Sequence, residues 1–204
     1  MSDFSFEEFP NFGYMMVKFT KEELLPIKKE VKKIRNNFSE SEKANKRLAG
    51  QIKHQYKLSN SIEYLNNLVK PYAFEYRKKY GKTQHWVWES EKLELQQAWV
   101  NYQKKHEFNP WHSHGGVFAF VIWLKIPYLF EDENDDETTF PSKGSFSFLY
   151  TNTFGFQQSI VIKADKSFEN KMILFPSNLM HQVYPFYTSN DYRISVSGNF
   201  WYVN

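Results

Sequence analysis

The sequence predicts a mainly β fold, a jelly-roll or barrel, packed against an N-terminal layer of helices. Three observations predict it. Apolar residues in the first 80 positions recur at three-and-four spacing, the period of an amphipathic helix. From about residue 84 they fall instead into short alternating or continuous runs divided by turn residues. Helices first and then many short strands, with no internal repeat and no low-complexity linker, is the order of a single domain with segregated layers. The expected division of residues 1–204 is a largely helical support over 1–83 and a β core over 84–204.

In the helical part, Thr20-Lys21-Glu22-Glu23 reads as a capping box. Leu24, Ile27, Val31, Ile34 and Phe38 then form one apolar stripe, with Pro26 marking the helix start or a bend. The basic run at 28–35 reads as the solvated face of that helix. Residues 39–58 are polar and carry no clear period. A second helix is expected over 60–80, with Ile62, Leu65, Leu68 and Tyr72 on one side and Pro71 bending or dividing it. The strand-like runs come next: QHWVWE (84–89), LELQQAWVNYQKK (93–105), FAFVIWLKIP (118–127), SFSFLYTN (145–152), SIVIKA (159–164), KMILFP (171–176) and DYRISVSGNFWYV (191–203). Alternation predicts that Leu95, Gln97, Trp99 and Asn101 share a face. The segment EDENDDE (131–137), six acids in seven residues, lacks the glycine and spacing of an EF-hand and is expected to be a solvated, mobile loop.

Composition narrows the function. Aromatic residues make up 19% of the chain and hydrophobic residues 41%, enough for a sizeable core. The net charge of +3, from 26 basic and 23 acidic residues, is too even to imply nucleic acid. There is no cysteine, so a metal must be held by histidine and carboxylate rather than thiolate. No apolar run is long enough to span a bilayer, and the acidic, Pro- and Gly-interrupted start does not resemble a signal peptide. The expectation is a soluble, cytoplasmic protein that does not engage a membrane.

The chemistry concentrates in NPWHSHGG (109–116). His112 and His114 sit one residue apart, a spacing that aims two imidazoles at one point when they end a strand. Imidazole suits zinc, iron, copper or nickel. The third ligand is expected from His181, 67 residues beyond His114, a separation that a jelly-roll readily closes. Arg193 and Ser195 come later, on one strand face. A guanidinium beside a hydroxyl inside a barrel suits a carboxylate.

Taken in order, these motifs resemble the iron(II)- and 2-oxoglutarate-dependent oxygenases, in particular a compact prolyl-hydroxylase-like branch found in bacteria and phages. Three stretches carry the resemblance: WVNYQKKHEFNPWHSHGGVFAFVIWLKIP (99–127), MILFPSNLMHQVYP (172–185) and RISVSGNF (193–200). It covers roughly residues 90–203. The resemblance implies a double-stranded β-helix, the cupin-like form of the jelly-roll. It implies His112 and His181 as iron ligands, and Arg193 and Ser195 as the anchor for the distal carboxylate of 2-oxoglutarate. Trp123 falls where relatives place a tyrosine touching that carboxylate, and Asn101 falls in the pocket wall. The implied cofactors are Fe(II), 2-oxoglutarate as co-substrate and O2. The implied reaction is hydroxylation of a C–H bond with decarboxylation of 2-oxoglutarate to succinate, first of all on a protein or peptide side chain.

The sequence departs from the family at His114, which stands where the carboxylate ligand is usual. Three arrangements are open. The metal is held by His112, His114 and His181; or His114 is the first ligand and Gly116 leaves the third position vacant; or the site holds no metal. A non-redox three-histidine protein using zinc or nickel, and an inactive barrel serving as an interaction protein, are the alternatives to the oxygenase. The acidic segment at 131–137 is a hypothesised border of the cavity entrance, where it would favour a basic partner. Nothing in the sequence specifies the oligomeric state.

Overall fold

The computed structural model describes residues 12–80, 92–135 and 137–203. Their elements run β1 (Met15–Lys18), α1 (Leu25–Asn36), β2 (His54–Lys57), α2 (Ile62–Tyr80), β3 (Leu93–Gln103), β4 (Asn109–His112), β5 (Phe118–Lys125), α3 (Phe130–Glu133), β6 (Phe146–Thr151), β7 (Gln157–Ile162), β8 (Lys171–Pro176), β9 (Met180–Val183) and β10 (Arg193–Tyr202). The ten strands form two antiparallel sheets, of order β1-β8-β5-β10-β3-β2 and β4-β9-β6-β7. This is the jelly-roll with a helical layer. The expected strand QHWVWE lies outside the described residues.

The large sheet is buried on both faces, which is why β5 reads as an unbroken apolar run. Phe118, Phe120 and Ile122 point to the helices, where Leu24, Ile27, Val31, Leu65 and Val69 cover them. Ala119, Val121 and Trp123 point inward, against Phe146, Phe148 and Ile162 of the small sheet. Sheet-on-sheet packing of this kind leaves a core about 10 Å thick. The functional cavity lies at one side of it.

The helical elements obey their local signals. The Thr20 hydroxyl accepts from the Glu23 amide at 3.2 Å, while the Glu23 carboxylate accepts from the Thr20 amide at 2.7 Å. This reciprocal capping box forms the turn leading into α1, and Pro26 sits in the first turn of the helix, where its missing N–H costs nothing. The second helix differs from expectation. Pro71 lies inside α2 without dividing it, its ring on the solvent side. The fully buried stripe is Leu65, Val69, Ala73 and Tyr76, with Ile62, Leu68 and Tyr72 half-buried beside it.

Three further differences concern strands and loops. The segment 39–58, which carried no clear period, supplies β2, and residues 15–18, for which no element was expected, supply β1; the two strands lie at the two edges of the large sheet. In β3, Leu95 pairs with Phe200 but Gln97 pairs with Asn199, so Gln96 is an extra residue. That bulge reverses the alternation. Leu95 joins Ala98, Val100 and Tyr102 on the helix-facing side, while Trp99 and Asn101 face the cavity. The acidic segment is not a free loop: α3 opens it, and the buried Glu133 carboxylate accepts from the backbone N–H groups of Tyr187 at 2.7 Å and Thr188 at 2.8 Å. Among the described residues no helix is long and apolar enough to cross a membrane.

Candidate metal centre and co-substrate cavity

Antiparallel pairing of β4 with β9 places His112 directly opposite His181, with ring centroids 4.2 Å apart. His114 lies just past the end of β4, and its backbone N–H donates to the Ser177 carbonyl at 2.8 Å, which holds the turn against the end of β8. The Nε2 atoms of His114 and His181 lie 3.2 Å apart, and one ligand atom from each of the three histidines falls within 4.8 Å of the others. His112 Nδ1 contacts the Pro110 carbonyl at 2.7 Å, and His181 Nδ1 contacts that of Leu179 at 2.8 Å. A carbonyl only accepts, so both Nδ1 atoms carry hydrogen and both Nε2 lone pairs face the cluster. This outer-shell arrangement is the one that fixes the tautomer and ring orientation of metal-ligating histidines.

The surroundings keep the rings neutral. Phe146 stacks on His181 at 5.5 Å and Phe175 meets its edge. Burial, reinforced by the neighbouring histidines, holds His181 well below the usual imidazole value. Burial and then His112 push His114 down to about 4, and burial also lowers His112. Neutral imidazole is the ligating form.

The donor set fits a divalent metal. Bonds of about 2.1 Å at right angles separate neighbouring nitrogens by about 3 Å, close to the His114–His181 spacing. No carboxylate joins the cluster among the described residues. Gly116 lies outside it. A Cβ on Gly116 would meet the Phe200 carbonyl at 2.5 Å and the Trp201 ring at 3.0 Å, so this position is aimed at β10 rather than at the histidines.

The cavity runs from the histidines to Arg193 at its closed end. Trp99, Asn101, Trp123 and Ser195 line it, with His112, His114 and His181 at one side. His112, His114, His181, Arg193, Ser195, Trp123 and Asn101, all singled out in the sequence, therefore border this one space, and Gly116 does not. Asn101 and Trp123 are the two register partners of Ser195, on β3 and β5. The Asn101 side-chain amide donates to Ser195 Oγ at 3.3 Å.

Arg193 is 2% exposed, and no carboxylate among the described residues pairs with it. Its five N–H groups all meet neutral acceptors. Nε and Nη2 donate to Gln103 Oε1 at 3.2 and 2.6 Å, and Nη2 also reaches the Tyr184 carbonyl at 3.2 Å. Nη1 donates to the Tyr128 hydroxyl and to the Gly144 carbonyl. The rings of Tyr128 and Phe186 lie 5.9 and 5.6 Å from the guanidinium carbon. The protein thus solvates a buried cation with dipoles and rings and leaves its charge uncompensated, a condition that favours an incoming anion.

Gln103 and Tyr128 are the residues that sequence reasoning missed. Gln103 was within reach, two positions after Asn101 on the same strand face. Tyr128 comes just after the proline that ends the β5 run, and nothing local points it at Arg193. None of the described residues of the acidic segment lines the cavity. Glu133 tethers it to Tyr187 and Thr188, on the side of the closed end built by Tyr128, Gly144 and Tyr184.

Comparison with known proteins agrees with this geometry. A family model described as 2OG-Fe(II) oxygenase matches residues 97–199, half of the chain. The fold is similar to a prolyl-4-hydroxylase from Pseudomonas putida, at TM-score 0.57 and 11% identity over 94% of each chain. It is similar to the viral collagen prolyl hydroxylase of Paramecium bursaria Chlorella virus-1, solved with 2-oxoglutarate, at TM-score 0.54 and 12% identity over 93% of this chain and 96% of that one. It is also similar to HygX from Streptomyces hygroscopicus, solved with nickel, 2-oxoglutarate and hygromycin B, at TM-score 0.55 and 11% identity over 94% and 83%. Comparison with curated protein sequences gives no match. The extent of the family match, the jelly-roll and the buried histidine cluster together place this chain in the 2-oxoglutarate- and iron(II)-dependent oxygenase family, as an oxygenase whose cofactors are iron(II), 2-oxoglutarate and dioxygen.

Proposed function

We propose that the protein hydroxylates a C–H bond of a protein or peptide side chain, with 2-oxoglutarate decarboxylated to succinate. The overall reaction balances as substrate–H, 2-oxoglutarate and O2 giving substrate–OH, succinate and CO2. One observation carries the reading: three neutral histidines, two with Nδ1 tied to backbone carbonyls, converge at one side of a cavity whose far end holds an unpaired buried arginine. In this reading His112, His114 and His181 hold iron(II), and no carboxylate among the described residues joins them. Iron with co-substrate and dioxygen supplies the oxidising power; the protein supplies position and exclusion of water.

The residues have separable tasks. Arg193 sets a positive potential at the closed end and Ser195 offers a hydroxyl there, so a dicarboxylate enters with its distal end toward them. Asn101 holds Ser195, and Trp123 forms the wall opposite. Phe146 and Phe175 keep His181 dry and fix its plane. Trp99 meets His114 edge-on at 5.7 Å and closes the other side. The peptide preference rests on the two prolyl hydroxylases that this chain matches over almost its whole length.

Anaerobic titration of the apo-protein with iron(II) and 2-oxoglutarate tests the site, through the visible metal-to-ligand charge-transfer band. The band is expected for the wild type and not for Arg193→Ala. Aerobic incubation with proline-containing peptides then tests the substrate class by mass spectrometry. A gain of one oxygen with matching succinate supports it. Succinate formed with no peptide modified, across a broad peptide library, would move the substrate to another class.

A further inference from the structure

A row of amides crosses the large sheet beside the cavity. Gln55 on β2 is the register partner of Asn101 on β3, and Asn101 is the register partner of Ser195 on β10. Gln55 is 1% exposed and Asn101 5%. The Asn45 side-chain amide donates to the Ile52 carbonyl at 2.6 Å and to Gln55 Oε1 at 3.3 Å. Gln55 Nε2 donates to Asn101 Oδ1 at 2.9 Å, and Asn101 Nδ2 donates to Ser195 Oγ at 3.3 Å.

The direction of this row is determined at one end. The Ile52 carbonyl can only accept, so the Asn45 nitrogen must lie toward it, and the neighbouring Gln55 atom must be the oxygen. Gln55 then presents nitrogen to Asn101, and Asn101 presents nitrogen to Ser195. The row therefore reaches Ser195 as a donor. Ser195 Oγ accepts, and its single hydrogen finds no acceptor among the described residues. Every N–H of Arg193 is already engaged, which makes an uncommitted hydroxyl hydrogen at this end of the cavity valuable to an incoming carboxylate.

We propose that Gln55 is a positioning residue for the co-substrate: by fixing the polarity of the Asn45–Gln55–Asn101 row, it makes Ser195 a hydrogen-bond donor into the cavity, toward the distal carboxylate. Gln55 touches no ligand itself; it acts through Asn101 and Ser195. The inference rests on the reading above, in which Ser195 faces the distal carboxylate of 2-oxoglutarate. Without Gln55, Asn101 is free to turn its oxygen to Ser195 and capture the hydroxyl hydrogen.

The test is calorimetric and needs no turnover. Full-length protein loaded with manganese(II) in place of iron(II) is titrated with 2-oxoglutarate and, separately, with oxalate. Oxalate offers the metal two carboxylates and has no distal group. Gln55→Met is expected to raise the Kd for 2-oxoglutarate roughly ten- to a hundredfold, the worth of one hydrogen bond to a charged group, and to leave that for oxalate unchanged. In a Ser195→Ala background the same substitution is expected to add nothing further. Gln55→Glu is the second variant. It keeps the contact to Asn45 but offers Asn101 an acceptor with either oxygen, and it is expected to weaken 2-oxoglutarate at least as much as Gln55→Met, with oxalate as the control for added charge. Equal losses for both ligands, no loss in either variant, or a loss that persists without the Ser195 hydroxyl would overturn the proposal. Wild-type protein that binds manganese and oxalate but not 2-oxoglutarate would instead refute the co-substrate reading beneath it.

Discussion

Replacing Arg193 by methionine removes a charge and five donors while keeping an unbranched apolar stem. Its effect on stability can be worked from the contacts of the guanidinium. The Tyr128 hydroxyl still donates to the Gly144 carbonyl at 2.7 Å, so those two groups stay satisfied. Gln103 keeps its donor bond to the Glu107 carbonyl at 2.5 Å but loses both contacts at Oε1, and the Tyr184 carbonyl loses its guanidinium contact. Two orphaned acceptors cost about 1–3 kcal/mol each. Against that stands the relief of a buried cation with no anionic partner, a desolvation cost of several kcal/mol per ion. The two nearly cancel, so the urea midpoint of Arg193→Met is expected to correspond to a stability within about 2 kcal/mol of the wild type. Ligand binding has no such compensation. The attraction of a buried cation for a carboxylate about 4–6 Å away is about 3–4 kcal/mol at an effective dielectric of about 20, so the Kd for 2-oxoglutarate should rise roughly 100- to 1,000-fold. Calorimetry on manganese-loaded protein reads this directly. A Kd within about threefold of wild type, in a folded variant, would refute the assignment of Arg193 as the anchor.

Other substitutions probe the centre and its scaffold. His112→Ala and His181→Ala are expected to abolish tight metal binding, measured by metal content after dialysis. His114→Asp should retain the metal and bind it more tightly than wild type, because it adds a negative charge to an all-neutral set; metal retention by His114→Ala equal to that of wild type would show that His114 plays no ligating part. Gly116→Ala should lower stability by about 1–3 kcal/mol in urea unfolding, since its φ of +92° disfavours a side chain and the added Cβ would lie 2.5 Å from the Phe200 carbonyl. Pro71→Ala should stabilise the fold by about 1 kcal/mol or more, because it restores a donor inside a continuous helix at an exposed position. Leu65→Ala, in the fully buried helix stripe, should cost about 2–5 kcal/mol.

Several features were legible because local physics decides them. The capping box at Thr20–Glu23 closes within four residues, and the stripe from Leu24 to Ile34 has a helical period that the sheet simply covers. The strand runs from 118 to 203 reappear within a few residues of their expected bounds, since turns and apolar periods mark them. His112, His114 and His181 were visible as a set from residue type and order, and Arg193 and Ser195 from their alternation. The short edge strands β1 and β2 were not legible. Each is four residues long, too short to show a period, and only pairing with β8 and β3 makes them strands.

By itself the sequence determined the class of fold, the order of its layers and the residue types available for chemistry: imidazole but no thiolate, and one Arg-x-Ser pair after the last histidine. Tertiary structure decided where those residues meet. A single extra residue at Gln96 moved Leu95 to the helices and left Asn101 facing the cavity, an outcome that strand alternation alone had assigned otherwise. Pairing of β4 with β9 set His112 against His181, and packing of the segment after β5 brought Tyr128 to Arg193. Gln55 reached the site only because β2 lies beside β3. Periodicity reports which face a side chain takes on its own strand; register, bulges and non-local pairing determine what it faces, and those are settled by the energy of the whole packed core.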